Sequence, residues 1–331
     1  MRKTILRSVL IGVTVVALAF SGVLCYVKFA LPGMNIGRAP NLKIDYTPER
    51  IARGKYLADI TACNDCHSKR DYTKFAGPIL PGTLGMGGEV FGREFGFPGN
   101  FYASNITPAG IGRWTDGELF RAITTGVSKD GHALFPVMPY LNFGRLDKED
   151  IYSIIAYIRT LKPVENEVPK SAADFPMNFI INVIPVAPSL STIPPKKDII
   201  PYGKYIFTAM SCNECHTPTE NGQAVKGKFL AGGFEFPFPD GTLVRSPNIT
   251  PDQKTGIGTW TEKQFIERFK SFADSSYVPK TVRPGDFKTV MPWFLYAKAT
   301  EEDLRALFAY LRAIPPVQNS VVKFERREKV K

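Results

Sequence analysis

The sequence predicts an all-α protein, with an amino-terminal apolar helix followed by two tandem copies of one helical unit. Three observations carry this expectation. The run Ser8–Val27 contains no charged residue, and at about 1.5 Å per residue it is long enough to cross a hydrocarbon core. A set of short motifs recurs in the same order in the two halves, which marks a duplicated unit. Segments opening at Thr47, Thr115, Asp147, Thr261 and Thr300 read as helices, and no stretch shows a convincing strand alternation.

Taken in chain order, residues 1–31 read as a signal anchor. Arg2, Lys3 and Arg7 precede the apolar run, which favours a cytoplasmic amino terminus. The exit Gly22-Val23-Leu24-Cys25-Tyr26-Val27-Lys28 lacks the small-x-small pattern of a cleaved signal, and bulky Leu24 argues against lipoprotein processing at Cys25. An uncleaved single-pass anchor is therefore expected over a removed signal peptide.

Residues 46–161 read as the first domain. Thr47 caps a helix whose first turn suits Pro48. Gly77–Gly99 is rich in Gly and Pro and reads as loop. Thr115 to Ala122 is a second helix, with Asp116 and Glu118 at its positive end. Asp147 to Leu161 is a third, with Ile151, Ile154, Ile155, Ile158 and Leu161 on one stripe. Residues 162–201 are proline-rich and read as an ordered strap packed across both domains. Residues 202–315 repeat the first domain, with helices over Thr261–Phe269 and Thr300–Ile314. The charged tail, 316–331, is expected to fray.

The chemistry lies in two pentapeptides, Cys63-Asn64-Asp65-Cys66-His67 and Cys212-Asn213-Glu214-Cys215-His216. Cys-x-x-Cys-His is the attachment motif of c-type haem: two thiols add across the vinyl groups, and the adjacent His supplies an axial nitrogen. Four of the five cysteines and two of the three histidines lie here. The rivals are a zinc site, which has no use for the two histidines, and a redox dithiol, which needs a preceding strand.

The motifs are embedded in a longer repeat. Gly54-Lys55-Tyr56 matches Gly203-Lys204-Tyr205, and Asn105-Ile106-Thr107-Pro108 matches Asn248-Ile249-Thr250-Pro251. Gly110-Ile111-Gly112-Arg113-Trp114-Thr115 matches Gly256-Ile257-Gly258-Thr259-Trp260-Thr261, and Met138-Pro139-Tyr140 matches Met291-Pro292-Trp293. Met138 and Met291 recur in register, so they are the expected sixth ligands; a lone Met would be core filler. A thioether ligand raises the potential relative to a second His. His132, in a turn with no counterpart, is the alternative ligand.

Asn105, Trp114, Asn248 and Trp260 are expected to face the haem propionates, with plain core and turn residues as the competing reading. Gly54 and Gly203 are expected to let the first helix of each domain cross the last closely, near Tyr157 and Tyr310. A backbone carbonyl after each motif should fix the His ring; Gly77-Pro78 is the candidate in the first domain.

The formal charge is +11 with a pI near 9.3, and about +7 remains outside the anchor region. Such a surface can suit an acidic protein or an anionic membrane, but the expected reading is simply a basic periplasmic surface. No basic helix or aromatic-interleaved basic strand points to nucleic acid.

With these motifs in hand, the chain resembles exported di-haem cytochromes of the class I type. Its Asn-Ile-Thr-Pro, Gly-Ile-Gly-x-Trp and Met-Pro-aromatic pattern is similar to that of the cytochrome c subunits of membrane-bound alcohol and gluconate dehydrogenases, as is the strap from Phe175-Pro176-Met177-Asn178. The resemblance covers roughly Tyr46 to Ile314. It implies two tandem class I cytochrome c domains, two covalently bound haem c groups and no catalytic residue. The family commonly holds three haems and a carboxy-terminal membrane attachment, and this chain departs on both points.

The expected function is electron transfer by a cytochrome anchored in the bacterial inner membrane, with its soluble domains in the periplasm. The donor would be a dehydrogenase or quinol oxidoreductase, and the acceptor a further cytochrome or oxidase. The alternatives are a di-haem subunit of a haem-copper oxidase and a di-haem peroxidase. The longer segment 275–286 of the second domain reads as a docking feature or as decoration.

Overall fold

The computed structural model describes residues 2–220, 222–274 and 276–326. Helix α1 (Arg2–Phe29) is one uninterrupted apolar rod with no buried residue, and a short α2 (Leu31–Ile36) turns the chain into the first half. Helix α3 (Pro48–Ile60) starts where the Thr47 hydroxyl accepts from the Arg50 amide. It leads into the one-turn α4 (Cys63–Cys66). Strands β1 (Val90–Phe91) and β2 (Gly99–Tyr102) precede α5 (Pro108–Ile111). Helix α6 (Asp116–Thr125) opens on a capping box between Thr115 and Glu118. The turn α7 (Tyr140–Phe143) precedes α8 (Lys148–Arg159), which Asp147 caps.

The connection holds β3 (Ala172–Ala173), α9 (Met177–Ile180) and a 3-10 turn over Ile181–Val183. The second half repeats the helices: α10 (Ile199–Ala209), α11 (Cys212–His216), α12 (Glu262–Lys270), α13 (Trp293–Tyr296) and α14 (Glu301–Ala313). Its strands are β4 (Thr219–Glu220), β5 (Gln223–Ala224), β6 (Glu235–Pro237), β7 (Thr242–Arg245) and β8 (Phe324–Arg326).

Each half is organised around the crossing of its first and last long helices. A Cβ at Gly54 would lie 1.8 Å from the Ser153 carbonyl oxygen, and one at Gly203 would lie 1.9 Å from that of Ala306. Only glycine allows this backbone approach, and Tyr157 and Tyr310 stand beside the two crossings as the repeat implied. The close contact buries Leu57, Ile60, Ile151 and Ile155 in one half and Ile206 and Leu304 in the other. Each such side chain contributes about 2 kcal/mol on leaving water.

The all-α expectation is overturned. Helix accounts for 41% of the chain and strand for 9%, with sheets in the orders β1-β2-β3, β4-β5 and β6-β7-β8. These strands are two to four residues long, too short to show a period-two pattern. Two of the pairings are also remote: Gly99 pairs with Ala173, and Val244 with Phe324. Two further readings are corrected with this one. Part of the Gly77–Gly99 loop is strand β1 and a 3-10 turn. The tail is held as β8 through Arg326 rather than frayed, and residues 327–331 lie outside the described residues.

The strap touches both halves. The Ser191 amide donates to the Leu146 carbonyl at 3.3 Å, and Lys196 pairs with Glu302 at 2.5 Å. The halves also meet directly. Lys298 pairs with Asp59 at 3.0 Å, and Asn142 Nδ2 donates to Glu214 Oε1 at 3.0 Å. The longer second-half loop, described from residue 276 because Ser275 lies outside the described residues, docks on the first half. There the Phe75 amide donates to the Lys280 carbonyl and the Val282 amide to that of Thr73, both at 2.8 Å.

Candidate functional site

Both cysteine motifs are single helical turns entered through a left-handed residue, Ala62 at φ 58° and Ser211 at φ 51°. Such a backbone is unfavourable for a residue with a Cβ. Its recurrence in both copies shows that the sharp entry from α3 and α10 is part of the site. The turn places the two thiols and the following His of each motif on adjacent positions. Burial pushes the Cys63 and Cys66 thiols up, and those of Cys212 and Cys215 up to about 12.

Each His ring is fixed by a backbone carbonyl. His67 Nδ1 donates to the Ser104 carbonyl at 2.7 Å, and His216 Nδ1 to that of Pro247 at 2.8 Å. Burial pushes both imidazoles down, and the carbonyl bond only partly offsets it. A neutral ring whose Nδ1 carries the proton keeps its lone pair on Nε2, the form that ligates a metal. The accepting carbonyl is not in the Gly77-Pro78 stretch: the Gly77 carbonyl accepts from Arg70 Nε, and the Pro78 carbonyl from the Asp71 amide.

Ser104 and Pro247 immediately precede the repeated Asn-Ile-Thr-Pro segments, and this explains the repeat. Asn105 Oδ1 accepts from the Thr107 amide and hydroxyl, while its Nδ2 donates to the Val164 carbonyl at 2.8 Å. Asn248 does the same with Thr250 and the Val317 carbonyl. The asparagine amides are thus committed to holding the loop that aims the carbonyl at the His. The tryptophans are not equivalent: Trp114 packs on the core, whereas Trp260 is 37% exposed.

Gly87 and Gly232 complete the frame and escaped the sequence reading. Their amides donate to the His67 carbonyl at 2.9 Å and the His216 carbonyl at 2.8 Å. At φ 70° and 72°, with backbone atoms 2.5 and 2.4 Å from any Cβ, neither site accepts another residue comfortably. The recurring Gly-Gly pairs at 87–88 and 232–233 were the available signal.

Met138 and Met291 are half-buried, pack on the hydrophobic core, and stand in turns that share a backbone hydrogen-bond pattern. The Tyr140 amide donates to the Met138 carbonyl at 2.7 Å, and that of Trp293 to Met291 at 2.8 Å. Met138, Met291, Cys63, Cys212 and Trp114 all pack against one continuous hydrophobic core that runs through both halves. His132 lies in its own turn, Nδ1 within 2.7 Å of the Ser128 hydroxyl.

The residues fit a covalently held haem. Neutral thiols, a buried Nδ1-protonated His and a packed thioether form the appropriate donor set. Tyr140, directly after Met138-Pro139, is fully buried, and its hydroxyl has no protein partner. A hydroxyl so placed calls for an acceptor from a bound group.

Short helices around Cys-x-x-Cys-His turns, each His held by a carbonyl, make the arrangement expected of a c-type haem site. Residues 200–315 match the cytochrome c family, so this chain carries a cytochrome c domain, which binds haem c covalently. The chain is similar to the fructose dehydrogenase cytochrome subunit of Gluconobacter japonicus, at 30% identity over 89% of this chain and 60% of that protein. It is similar to the alcohol dehydrogenase (quinone) cytochrome c subunit of Gluconacetobacter polyoxogenes, at 29% identity over 82% of this chain and 57% of the other. A diheme cytochrome c-type protein of Cereibacter sphaeroides is 28% identical over 84% of this chain and 90% of its own length. The chain thus spans about 60% of the length of the dehydrogenase subunits it matches. It is homologous to cytochrome c subunits of fructose, alcohol and gluconate dehydrogenases.

Proposed function

We propose that the chain is a membrane-anchored di-haem cytochrome c that relays electrons from a dehydrogenase to a respiratory acceptor. Residues 46–161 and 202–315 form one cytochrome domain each. Cys63 and Cys66 tether one haem, with His67 and Met138 as iron ligands. Cys212 and Cys215 tether the second, with His216 and Met291. Bound haem supplies a one-electron change at iron, and the chain itself carries no catalytic residue. Its residues orient the ligands: the Ser104 and Pro247 carbonyls set the rings, and the Met-Pro turns present the thioethers.

The observation that carries this reading is the double occurrence of one frame, His Nδ1 on the carbonyl before Asn-Ile-Thr-Pro and His carbonyl on a Gly-Gly amide. The relatives' names favour a dehydrogenase donor over a haem-copper oxidase setting. Thioether ligation of both irons disfavours peroxidase chemistry, which needs an open position. Helix α1 has the length and composition of a membrane span, and the positive residues before it support soluble domains in the periplasm, with a further cytochrome or an oxidase as acceptor.

The test is haem counting and substrate-driven reduction. Acid–acetone should leave two haems on each chain. In membranes of the native host, adding an alcohol, sugar or aldonate should reduce them, and deleting the matching dehydrogenase should abolish that. One haem per chain, or reduction indifferent to every dehydrogenase, would overturn the reading.

A further inference from the structure

The anchor does not hang free of the soluble part. Its last turns pack against the strap: α1 touches α9 and the 181–183 turn, and α2 touches that turn as well. Leu24 and Val27 are half-buried there, although α1 is otherwise exposed. The Lys28 ammonium stands 5.7 Å from the Phe179 ring centroid. Lys28 is the first charge after the apolar run, so it marks the level at which the span leaves the hydrocarbon. Phe179 is therefore held at that same level.

The strap around it presents apolar side chains outward. Phe175 is 81% exposed, Val183 54%, Val186 52% and Ile180 44%. Phe29 and Met34, at 78% and 66%, extend this face from the anchor side. Single exposed apolar residues need no explanation, but a contiguous set rimmed by charge does. Beside α2, buried Arg121 holds the Gly37 carbonyl at 3.1 Å, and Arg38 and Lys129 line one cavity with it and with Glu118, an edge that is basic on balance.

We propose that the strap from Phe175 to Val186, with α2, is a second membrane contact, lying in the headgroup region as a monotopic patch. Phe175, Ile180 and Val183 enter the acyl boundary, and Lys28, Arg38 and Lys129 face lipid phosphates. The occupant is the bilayer rather than a protein because the patch is continuous with the emergent end of the span. It rests on the proposal that α1 spans the membrane. Interfacial apolar residues with a basic margin are what such a surface requires. The consequence is orientational: the first domain is seated on the bilayer instead of swinging from a single tether.

The experiment places nitroxide labels on the full-length protein in nanodiscs containing anionic phospholipid. Cys25→Ser removes the anchor thiol, and labels are attached at Ile180→Cys, Val183→Cys, Leu18→Cys and Val322→Cys in separate proteins. Correct folding is checked by the haem spectrum. Collision with oxygen is compared with collision with a polar nickel chelate. Labels at 180 and 183 should favour oxygen by roughly threefold or more over the label at 322, which is water-facing. If 18 is lipid-facing but 180 and 183 behave like 322, the surface proposal falls while the anchor stands. If 18 is also water-facing, both fall. Labels at 180 and 183 that are shielded from both reagents by a co-purifying subunit would assign the patch to a protein and overturn the proposal.

Discussion

The Tyr205 hydroxyl donates to the Asp150 carboxylate at 2.7 Å and accepts from the Asp147 amide at 3.1 Å, linking the first helix of one half to the start of the last helix of the other. The same arrangement occurs in reverse. The Tyr56 hydroxyl donates to Asp303 and accepts from the Thr300 amide at 3.1 Å. Arg53 and Tyr202 brace the two carboxylates from within their own halves. The halves are therefore joined by a reciprocal clasp with approximate two-fold symmetry.

Tyr205→Phe and Tyr56→Phe should each destabilise the protein by about 2 kcal/mol, because each removes a charge-assisted bond to a buried carboxylate, Asp150 or Asp303. Urea unfolding of the haem-loaded protein measures this. In the double variant the single transition should separate into two. Unchanged midpoints would show that the clasp is incidental.

Gly54→Ala and Gly203→Ala should each cost about 3 kcal/mol or more, since the added methyl meets backbone rather than a yielding side chain. Gly22→Ala, with nothing within 4 Å, is the control and should behave as the parent. Expression yield and the urea midpoint report the difference, and full recovery of a folded Gly54→Ala variant would contradict the crossing geometry.

Met138→Ala and Met291→Ala should each remove about half of the sulfur-to-iron absorption at the red end of the ferric spectrum. A spectrum untouched by Met138→Ala would turn attention to His132.

Asp240 gives a pH-dependent contribution. Desolvation raises its carboxyl, but Lys288 and the Gly285 and Thr242 bonds outweigh that and hold it well below the usual carboxylate range. A depressed acid stabilises the fold fully above its unfolded value of about 3.9, and the contribution is lost as pH falls toward the folded value. Asp240→Asn should therefore cost about 1–3 kcal/mol near neutrality. The gap to the parent should narrow below about pH 4. Melting curves of the pair across pH test this, and a gap independent of pH would rule out a role for the charge.

The helices were legible because their signals are local. Thr47, Thr115, Asp147, Thr261 and Thr300 all cap the helices read from them. The Gly54 and Gly203 crossings were legible because only close approach explains a repeated helical glycine beside a repeated tyrosine. The sheets were not, because strands such as Ala172–Ala173 exist only through a partner far along the chain. The ring-fixing carbonyls of Ser104 and Pro247 leave no mark in residue type. Their signature was the Asn-Ile-Thr-Pro segment that follows, whose amides serve the loop itself. The clasp was invisible for a related reason: Tyr56 and Asp303 are each ordinary in their own helix.

The clasp also imposes an order of assembly. The first half closes on contacts between α3 and α8, all within residues 48–159. The bonds to the second half span separations of 55 residues for Tyr205 with Asp150 and 247 for Tyr56 with Asp303. Contacts of such different range form at different times. During amino-end-first delivery, the early half is complete while the late one is still arriving. Pro292, Leu295 and Lys298 then settle beside Asp65, on the flank of the first thiol pair. In the proposed cytochrome, covalent attachment at Cys63 and Cys66 would be sterically least hindered before that arrival, and the second copy of the unit would act as the closing piece of the first.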